Sequence, residues 1–291
     1  MATPTFHSKS TALEVVKGLN AKLDGKVVII TGATSGIGTE IARALASANA
    51  HTIITARDIN KGAKVIEDIK KTTGNDKVEI MEMDLTSLES VRNFVSQFRT
   101  RKLSINILIC NAGITACPYS KTVDGFELQF GVNHLAHFLL TTSLLSEFKA
   151  GNPSRVVLAY AQSKTANILF TKQFNKLYES QGIRAYSLQP GGVLTNLQQH
   201  IPEKEQRAMG WYREDGTLID IFKTVKQGAS TIVYAALASE LDNHGGAYLE
   251  DCAISKGVNT DKTAWGIAPH AADMEAAERL WQLSEQMVSA K

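Results

Sequence analysis

Short runs of β-branched and apolar residues, each bounded by turn residues, predict buried strands along most of this chain. The run Val27–Ile30 leads directly into a glycine-rich turn, and a helical pattern follows it. A continuous apolar run of this kind is typical of a parallel strand that is covered on both faces. The predicted strands are Val27–Ile30, Thr52–Thr55, Val78–Met83, Ile105–Cys110, Arg155–Ala159, Ala185–Leu188 and Ala247–Glu250.

Helical periodicity is predicted between these strands. Thr86 and Glu89 match a capping box, which predicts a helix over Ser90–Phe98. The stretch 193–222 breaks the alternation and is predicted to be irregular. The predicted helices are Ile37–Ser47, Lys61–Thr72, Ser90–Phe98, Val123–Leu145, Ala161–Glu179, Thr224–Ala238 and Ala271–Ser289.

Regular alternation of strands and helices predicts right-handed crossovers and an α/β fold. We therefore expect a single doubly wound parallel sheet, Rossmann-like, with helices on both faces. Residues 1–24 are interpreted as an N-terminal leader, and residues 25–291 as one domain.

Composition narrows the class of protein. The 291 residues are 44% hydrophobic and 21% charged, which is typical of a folded globular chain. A net charge of +2 does not favour nucleic acid or an anionic membrane as a partner, so a small molecule is expected. The three cysteines are too scattered for a disulfide framework or a zinc site, and no metal is expected. No apolar run approaches the ~18 residues of a membrane span and no signal peptide is evident, so a cytoplasmic protein is expected, with a homo-oligomer left open.

A glycine turn separates the first predicted strand from the first helix. Gly32, Gly36 and Gly38 stand where a dinucleotide-binding fold needs a tight turn and close approach of the backbone to a pyrophosphate. The spacing differs from Gly-x-Gly-x-x-Gly but occupies the same strand-to-helix position. The alternative is a purely structural turn.

Several motifs together resemble the short-chain dehydrogenase/reductase family. They are the turn from Thr31 to Gly38, Asn111-Ala-Gly113, Asn133, Tyr160-x-x-x-Lys164 and Pro190-Gly191, and the resemblance extends from about Gly25 to the C-terminus. The phrases Thr55–Asp58, Asn133–Phe138 and Leu249–Cys252 look most like the retinol dehydrogenase and WW-domain oxidoreductase branch, without its WW domains. The resemblance implies an oxidoreductase that interconverts an alcohol and a carbonyl with a nicotinamide cofactor.

Arg57 follows the second predicted strand, where such folds recognise the adenosine ribose. A guanidinium pairs with a 2′-phosphate through two hydrogen bonds, which favours NADP (NADPH) over NAD. The alternative is a solvated Arg57 beside an Asp58 that caps the next helix. The residues expected at the cofactor are Gly32, Ser35, Gly36, Ile37, Gly38, Arg57, Asp84, Leu85, Asn111, Ala112, Gly113, Tyr160, Lys164, Pro190, Gly191, Val193 and Thr195. For Asp84 and Asn111 ordinary turn roles are the alternative.

Tyr160 and Lys164 are four residues apart, so on a helix they share a face. A nearby ammonium lowers the pKa of a phenol. By the resemblance, Tyr160 is the acid/base, Lys164 is its activator and a ligand of the nicotinamide ribose, and Asn133 holds a water in the proton relay. The alternative for Asn133 is an amide bonded to the backbone, and His134 and His137 are interpreted as packing or surface residues.

One part of the family pattern is missing before Tyr160. Members have a serine after the fifth strand and then a loop, whereas here Arg155–Ala159 runs directly into Tyr160. Neither Ser154 nor Ser163 is a suitable replacement. Loss of one oxyanion donor typically lowers turnover ~10² to 10³-fold, so we expect a weak enzyme. The alternative is an inactive NADP(H)-binding protein, and the junction is expected to be strained or one of its elements to unravel.

The stretch between Pro190 and Lys223 is rich in apolar side chains, and in the family this segment covers the substrate. Pockets for lipophilic ligands are lined by such residues. The sequence therefore predicts a bulky hydrophobic alcohol or carbonyl, with packed core or a subunit contact as the alternative. The residues are Leu194, Leu197, Ile201, Met209, Trp211, Tyr212, Leu218, Ile219, Ile221 and Phe222.

Overall fold

A parallel sheet with helices on both faces forms the centre of the protein. The structure, a computed structural model, describes residues 5–159, 164–260 and 265–290, with only the backbone at residue 164. Within the described residues the strands are β1 (Val27–Thr31), β2 (His51–Ala56), β3 (Val78–Glu82), β4 (Ile107–Cys110), β5 (Ser154–Ala159), β6 (Ile183–Gln189), β7 (Gly192–Val193), β8 (Phe222–Lys223), β9 (Tyr248–Glu250) and β10 (Ala253–Ile254). The α-helices are α1 (Ala12–Gly18), α2 (Gly36–Ser47), α3 (Ile59–Thr73), α4 (Leu88–Thr100), α5 (Leu128–Phe130), α6 (Ala136–Ser143), α7 (Leu145–Ala150), α8 (Lys164–Tyr178), α9 (Glu203–Ala208), α10 (Val225–Gly228), α11 (Ser230–Leu237) and α12 (Met274–Ser289).

The predicted fold class is confirmed by the strand order. The main sheet runs β10-β9-β6-β5-β4-β1-β2-β3 and is parallel except for β10, while β7 and β8 form a separate parallel pair. Val28 on β1 lies between Thr52 of β2 and Ile107 of β4, which places the change of strand order beside β1. Ligands of doubly wound sheets bind at the carboxyl edge beside such a switch point.

Side chains of β1 alternate between two hydrophobic layers. Val28 and Ile30 pack with apolar residues of α1, α2 and α11 on one face. Val27 and Ile29 pack with residues of α4, α6 and α12 on the other. All four are buried, which explains why the strand reads as a continuous apolar run.

The predicted capping box at Thr86 is wrong. The N-cap of α4 is Ser87, whose hydroxyl accepts from the Ser90 N–H at 3.2 Å. The Thr86 hydroxyl instead donates to the Asp84 carboxylate at 2.9 Å. Because the Thr86 hydroxyl is bonded to Asp84, Ser87 is the N-cap and α4 begins at Leu88.

The predicted long helix over Val123–Leu145 begins late and is interrupted. Glu127 caps α5, and a π-helical turn over Gly131–Leu135 joins it to α6, which ends at Ser143. Val123 lies before the helix and donates its N–H to the Thr86 carbonyl. Its β-branched side chain is therefore part of a loop rather than of a helical face.

The segment assigned to the leader contains a helix that packs on the domain. Thr11 and Glu14 form the capping box of α1, and Val15 is fully buried in the layer that includes α2 and α11. The boundary at residue 24 stays a prediction. Among the described residues, no helix combines the length and the apolar character that a membrane crossing requires.

The stretch predicted to be irregular contains short ordered elements. Strand β7 begins it, and after a 3₁₀ turn at Asn196–Gln198 and helix α9 the chain returns as β8. Gly192 pairs with Phe222, and Val193 with Lys223. Residues 194–221, hereafter the flap, therefore leave and rejoin the body at two adjacent strands.

Candidate active site

One cavity of about 880 Å³ opens at the carboxyl ends of β1, β2, β4 and β6. It is bordered by every expected cofactor residue whose side chain the structure describes. These are Gly32, Ser35, Gly36, Ile37, Gly38, Arg57, Asp84, Leu85, Asn111, Ala112, Gly113, Pro190, Gly191, Val193 and Thr195. Tyr160 and the Lys164 side chain lie outside the described residues.

Two glycines of the turn are required by close packing. Gly32 has a φ of +66°, and a Cβ there would lie 2.6 Å from the Ala112 Cα. A Cβ on Gly38 would lie 2.2 Å from the Gly32 carbonyl oxygen. At Gly36, with φ of +58°, the nearest atom to a Cβ would be the Thr195 Cγ2 at 3.5 Å, so this glycine leaves open space in the cavity.

The N-terminus of α2 faces the same cavity. Its N-cap residue, Ser35, makes no side-chain capping bond, and no acidic residue occupies the first turn. The free backbone N–H groups and the helix dipole of this 12-residue helix favour an anion. The first turn of α2 therefore has the chemistry of a phosphate site.

The Thr31 hydroxyl joins the ends of β1 and β4. It accepts from the backbone N–H of Asn111 at 3.0 Å and of Ala112 at 2.9 Å. The Asn111 side-chain amide donates back to the carbonyls of Thr31 and Gly32, at 3.0 Å each. Asn111 thus performs the turn role that was its alternative while it also lines the cavity.

Asp84 likewise combines both interpretations. Its Oδ1 accepts from the Thr86 N–H and from the Thr86 hydroxyl, at 2.9 Å each. The residue also borders the cavity beyond β3. One oxygen of the Asp84 carboxylate therefore stabilises the turn between Asp84 and Thr86.

Asn133 is fixed by the backbone of Ile114. Its Oδ1 accepts from the Ile114 N–H and its Nδ2 donates to the Ile114 carbonyl, each at 2.9 Å. This is the backbone-bonded amide given as the alternative, and Asn133 does not line the cavity. Its part in a proton relay stays a prediction.

The two histidines beside Asn133 are packing residues, which is one of the two roles that the sequence predicts for them. His134 is buried, and its Nε2 bonds to the Ser284 hydroxyl at 2.8 Å. His137 lies 2.9 Å from the Thr31 hydroxyl through Nε2 and 3.3 Å from the Asn133 carbonyl through Nδ1. Burial lowers the pKa of His137 to about 4, so its imidazole is neutral at neutral pH.

Asp58 and Arg57 have the arrangement given as the alternative, and the binding of a 2′-phosphate by Arg57 stays a prediction. Asp58 caps α3, accepting from the N–H groups of Asn60 and Lys61. Arg57 is exposed, borders the cavity and forms no ion pair within the described part of the chain. Its guanidinium is therefore available to an anion.

Lys223 lies behind the Pro190-Gly191 loop. Its ammonium is 2.5 Å from the Asp251 carboxylate, and its side chain is only 3% exposed. A Cβ on Gly191 would lie 2.7 Å from the Lys223 Cε, so the loop packs directly on this side chain. The ion pair thereby supports one wall of the cavity from the β9–β10 turn.

The far part of the cavity is apolar. The flap and β8 contribute Leu197, Met209, Trp211, Ile219, Ile221 and Phe222. The rings of Trp211 and Phe222 meet edge to face at 5.5 Å between centroids. Four of the apolar residues predicted here do not border the cavity: Leu194, Ile201, Tyr212 and Leu218.

Sequence reasoning missed several lining residues. Ile114, Leu128 and Val132 add apolar lining outside the flap, and Thr34 and Thr55 also border the cavity. Ile114 follows the Asn111-Ala-Gly motif directly, which was an available signal. The sequence gives no such signal for Leu128 and Val132. They border the cavity because the helix begins at Leu128 and not at Val123.

The junction that lacks the family serine lies outside the described residues. Ala159 ends β5 and borders the cavity, and the backbone of α8 begins at Lys164. The expected strain at this junction stays a prediction, as does the helix start at Ala161. Within the described ranges, no group of three or more His, Cys, Asp or Glu side chains could hold a metal.

The chain is similar to known proteins over most of its length. The model of the family described as short chain dehydrogenase matches residues 26–206. Human Retinol dehydrogenase 12 is 38% identical, over 92% of this chain and 88% of that protein. That alignment extends over 296 positions, more than the 291 residues of this chain, so the relative contains residues that have no counterpart here.

Two solved structures share the fold. A crystal structure of a protein from Mycobacterium paratuberculosis has a TM-score of 0.69 and 30% identity, covering 97% of this chain and 98% of that chain. A gluconate 5-dehydrogenase from Burkholderia cenocepacia, in complex with NADP and tartrate, has a TM-score of 0.63 and 24% identity, covering 78% of this chain and 94% of its own. The second likeness concerns the fold alone.

Proposed function

Because this chain belongs to the short-chain dehydrogenase family and is an oxidoreductase, we propose that it uses NADP(H) to interconvert an alcohol and a carbonyl on a hydrophobic small molecule. One observation carries the proposal. A single cavity joins a glycine turn and a helix N-terminus to an apolar wall formed by the flap. The first half suits a dinucleotide and the second suits a lipophilic substrate.

The residues present fit a nicotinamide dinucleotide. The open space at Gly36 and the first turn of α2 would hold the pyrophosphate, and Pro190 to Thr195 would hold the nicotinamide side. Arg57, exposed and unpaired within the described residues, would bind the 2′-phosphate of NADP. The neighbouring gluconate 5-dehydrogenase was solved with NADP, which supports this choice. The cofactor supplies the hydride, and the protein supplies placement and the proton.

The proton is assigned to Tyr160 by the sequence motif. Lys164 would lower the pKa of its phenol and bind the nicotinamide ribose. The missing serine segment removes one expected oxyanion donor, so we propose slow turnover rather than none. The residues of the human relative without counterpart in this chain are consistent with that segment.

Binding and turnover should be measured separately. Isothermal titration calorimetry of the purified protein with NADPH should give binding, and oxidation of NADPH by a panel of aldehydes and ketones should give turnover. Tyr160→Phe should abolish turnover and preserve binding. Binding without turnover would favour the inactive NADP(H)-binding alternative, and an unchanged rate in Tyr160→Phe would exclude Tyr160 as the acid.

We further propose that the substrate is bulky and hydrophobic, and that the protein is cytoplasmic. The first rests on the apolar wall and on the name of the human relative, Retinol dehydrogenase 12. The second rests on the sequence pattern alone. Cell fractionation tests it, since recovery in the membrane pellet would contradict a cytoplasmic location.

A further inference from the structure

The N-terminal segment contacts the flap at the point where the flap returns to the body. The flap return is residues 219–222, which are the last three residues of the flap and Phe222, the first residue of β8. The Lys9 ammonium donates to the Asp220 carbonyl at 2.6 Å and to the Phe222 carbonyl at 3.0 Å. These bonds join residues 211 and 213 positions apart in the chain.

Lys9 is itself anchored on the body of the protein. Its backbone carbonyl accepts from the Gln227 side-chain amide at 3.1 Å, and Gln227 also belongs to the capping box of α10. On one side of Lys9, Phe6 packs edge to face on Tyr234 of α11. On the other, Thr11 begins α1, whose apolar face is buried. The ammonium is thus presented from a fixed backbone.

The flap return carries part of the apolar wall. Ile219, Ile221 and Phe222 all border the cavity, and the Ile219 N–H donates to the Trp211 carbonyl at 3.0 Å. Phe222 in turn contacts the Trp211 ring. A shift of the return would therefore move side chains that line the cavity.

The charge near Lys9 favours the carbonyls as its acceptors. The nearby Asp220 carboxylate is already paired with Arg213 at 2.7 Å, and its side chain is 96% exposed. An exposed ion pair contributes little on its own, whereas a charged donor shared by two carbonyls fixes their relative position. The contact is therefore directional rather than a general attraction of surface charges.

We propose that Lys9 is a positioning residue, which holds the flap return and thereby shapes the hydrophobic half of the substrate site. Its effect on substrate binding rests on the proposed function, whereas its effect on the flap does not. Among the described residues the Lys9 ammonium bonds only to the carbonyls of Asp220 and Phe222, neither of them an expected cofactor residue, so NADPH binding should not depend on it.

Limited trypsin digestion, with cleavage sites identified by mass spectrometry, tests the flap directly. The variants are Lys9→Met, which keeps the aliphatic stem, and Lys9→Arg, which keeps the donors. Lys22→Met is the matched control, because Lys22 is an exposed lysine of the same N-terminal segment with no hydrogen bond or ion pair among the described residues. Cleavage after Arg207 and Arg213 in the flap should be about two- to tenfold faster in Lys9→Met than in Lys22→Met. Lys9→Arg should restore most of the protection.

Kinetics give the second readout. With a hydrophobic carbonyl, Lys9→Met should raise KM about two- to tenfold while kcat and the NADPH Kd change less than about twofold. Equal flap cleavage in Lys9→Met and Lys22→Met would overturn the proposal, and so would faster cleavage throughout the chain, which would indicate general destabilisation. If no variant shows turnover, the proposed function fails, and the digestion still decides the role of Lys9.

Discussion

The hydroxyl of Thr31 donates its proton to Nε2 of His137 across 2.9 Å. Both of its lone pairs are occupied by the N–H groups of Asn111 and Ala112, and for its own proton His137 Nε2 at 2.9 Å is a nearer acceptor than the Ile109 carbonyl at 3.5 Å. The imidazole must then carry its own proton on Nδ1, where it faces the Asn133 carbonyl at 3.3 Å. A neutral histidine thus connects the cofactor edge of the sheet to the helix that carries Asn133.

Removal of this hydroxyl should weaken both the fold and the cofactor site. Thr31→Val preserves shape but leaves two half-buried N–H groups without their acceptor, which should cost about 1 kcal/mol each in the free energy of unfolding. Urea denaturation should show this loss, and calorimetry should show weaker NADPH binding. Thr31→Ser, which keeps the hydroxyl, is the control. Equal stability of Thr31→Val and Thr31→Ser would contradict the account.

Acid should destabilise the protein through its two buried histidines. Burial lowers the pKa of His137 to about 4, and burial together with nearby His137 lowers that of His134 to about 3. The unfolded chain, with histidine pKa values near ~6.5, binds these protons first. The free energy of unfolding is therefore unaffected by these histidines above pH ~6.5. Below that pH it falls by up to ~1.4 kcal/mol per pH unit for each histidine, down to pH about 4 for His137 and about 3 for His134.

Unfolding free energy measured between pH 7 and 5 checks this expectation. His134→Phe removes one titrating group from an aromatic site, and Ser284 keeps its bond to the Leu280 carbonyl. The pH slope should fall by about half in this variant. A slope identical to that of the unmodified protein would show that folding does not lower the pKa of His134.

Two glycines of the turn should respond differently to the same substitution. Gly38→Ala places a methyl 2.2 Å from the Gly32 carbonyl oxygen, a backbone atom, and should cost about 3 kcal/mol or more of stability. Gly36→Ala meets open space, so the fold should lose only about 1 to 2 kcal/mol from its positive φ. NADPH binding by Gly36→Ala should nevertheless weaken at least about tenfold, because the methyl enters the space assigned to the pyrophosphate. Similar losses of stability in both variants would contradict this distinction.

Arg57→Ala should separate the two nicotinamide cofactors. Loss of a charge-assisted bond to the 2′-phosphate should raise the NADPH Kd about ten- to a hundredfold and leave the NADH Kd nearly unchanged. Calorimetry with both cofactors measures these Kd values. Arg57→Lys keeps the charge but not the planar guanidinium, so its NADPH Kd should lie between those of the unmodified protein and of Arg57→Ala. Equal losses for NADPH and NADH would show that Arg57 supports the fold and does not bind the phosphate.

The centre of the sheet was predictable because strands such as β1 and β4 are buried on both faces. Val27–Ile30 needs apolar side chains on both sides, so the local pattern alone identifies it. The cap of α4 was not predictable in the same way. Thr86 and Ser87 are adjacent hydroxyl residues, and only the position of Asp84 determines which of them caps the helix.

The cofactor half of the site followed from motifs, whereas its supports did not. Three glycines between a buried strand and a helix are characteristic of a tight phosphate-binding turn, so the turn at Gly32 was identified from sequence. Thr31 and His137 are 106 residues apart, and Lys9 and Phe222 are 213 apart. No local periodicity links such pairs, because their contacts arise only when the sheet and the flap have formed.

Catalytic efficiency toward two contrasting carbonyls tests the central claim most directly. The unmodified protein should be assayed with NADPH against a long-chain or polycyclic carbonyl and against a short hydroxylated one. The account predicts measurable turnover and a higher kcat/KM for the hydrophobic compound, because Trp211, Ile221 and Phe222 line the apolar part of the cavity, where we propose that the substrate binds. A preference for the small polar compound, or NADPH binding without oxidation of NADPH by either carbonyl, would contradict it.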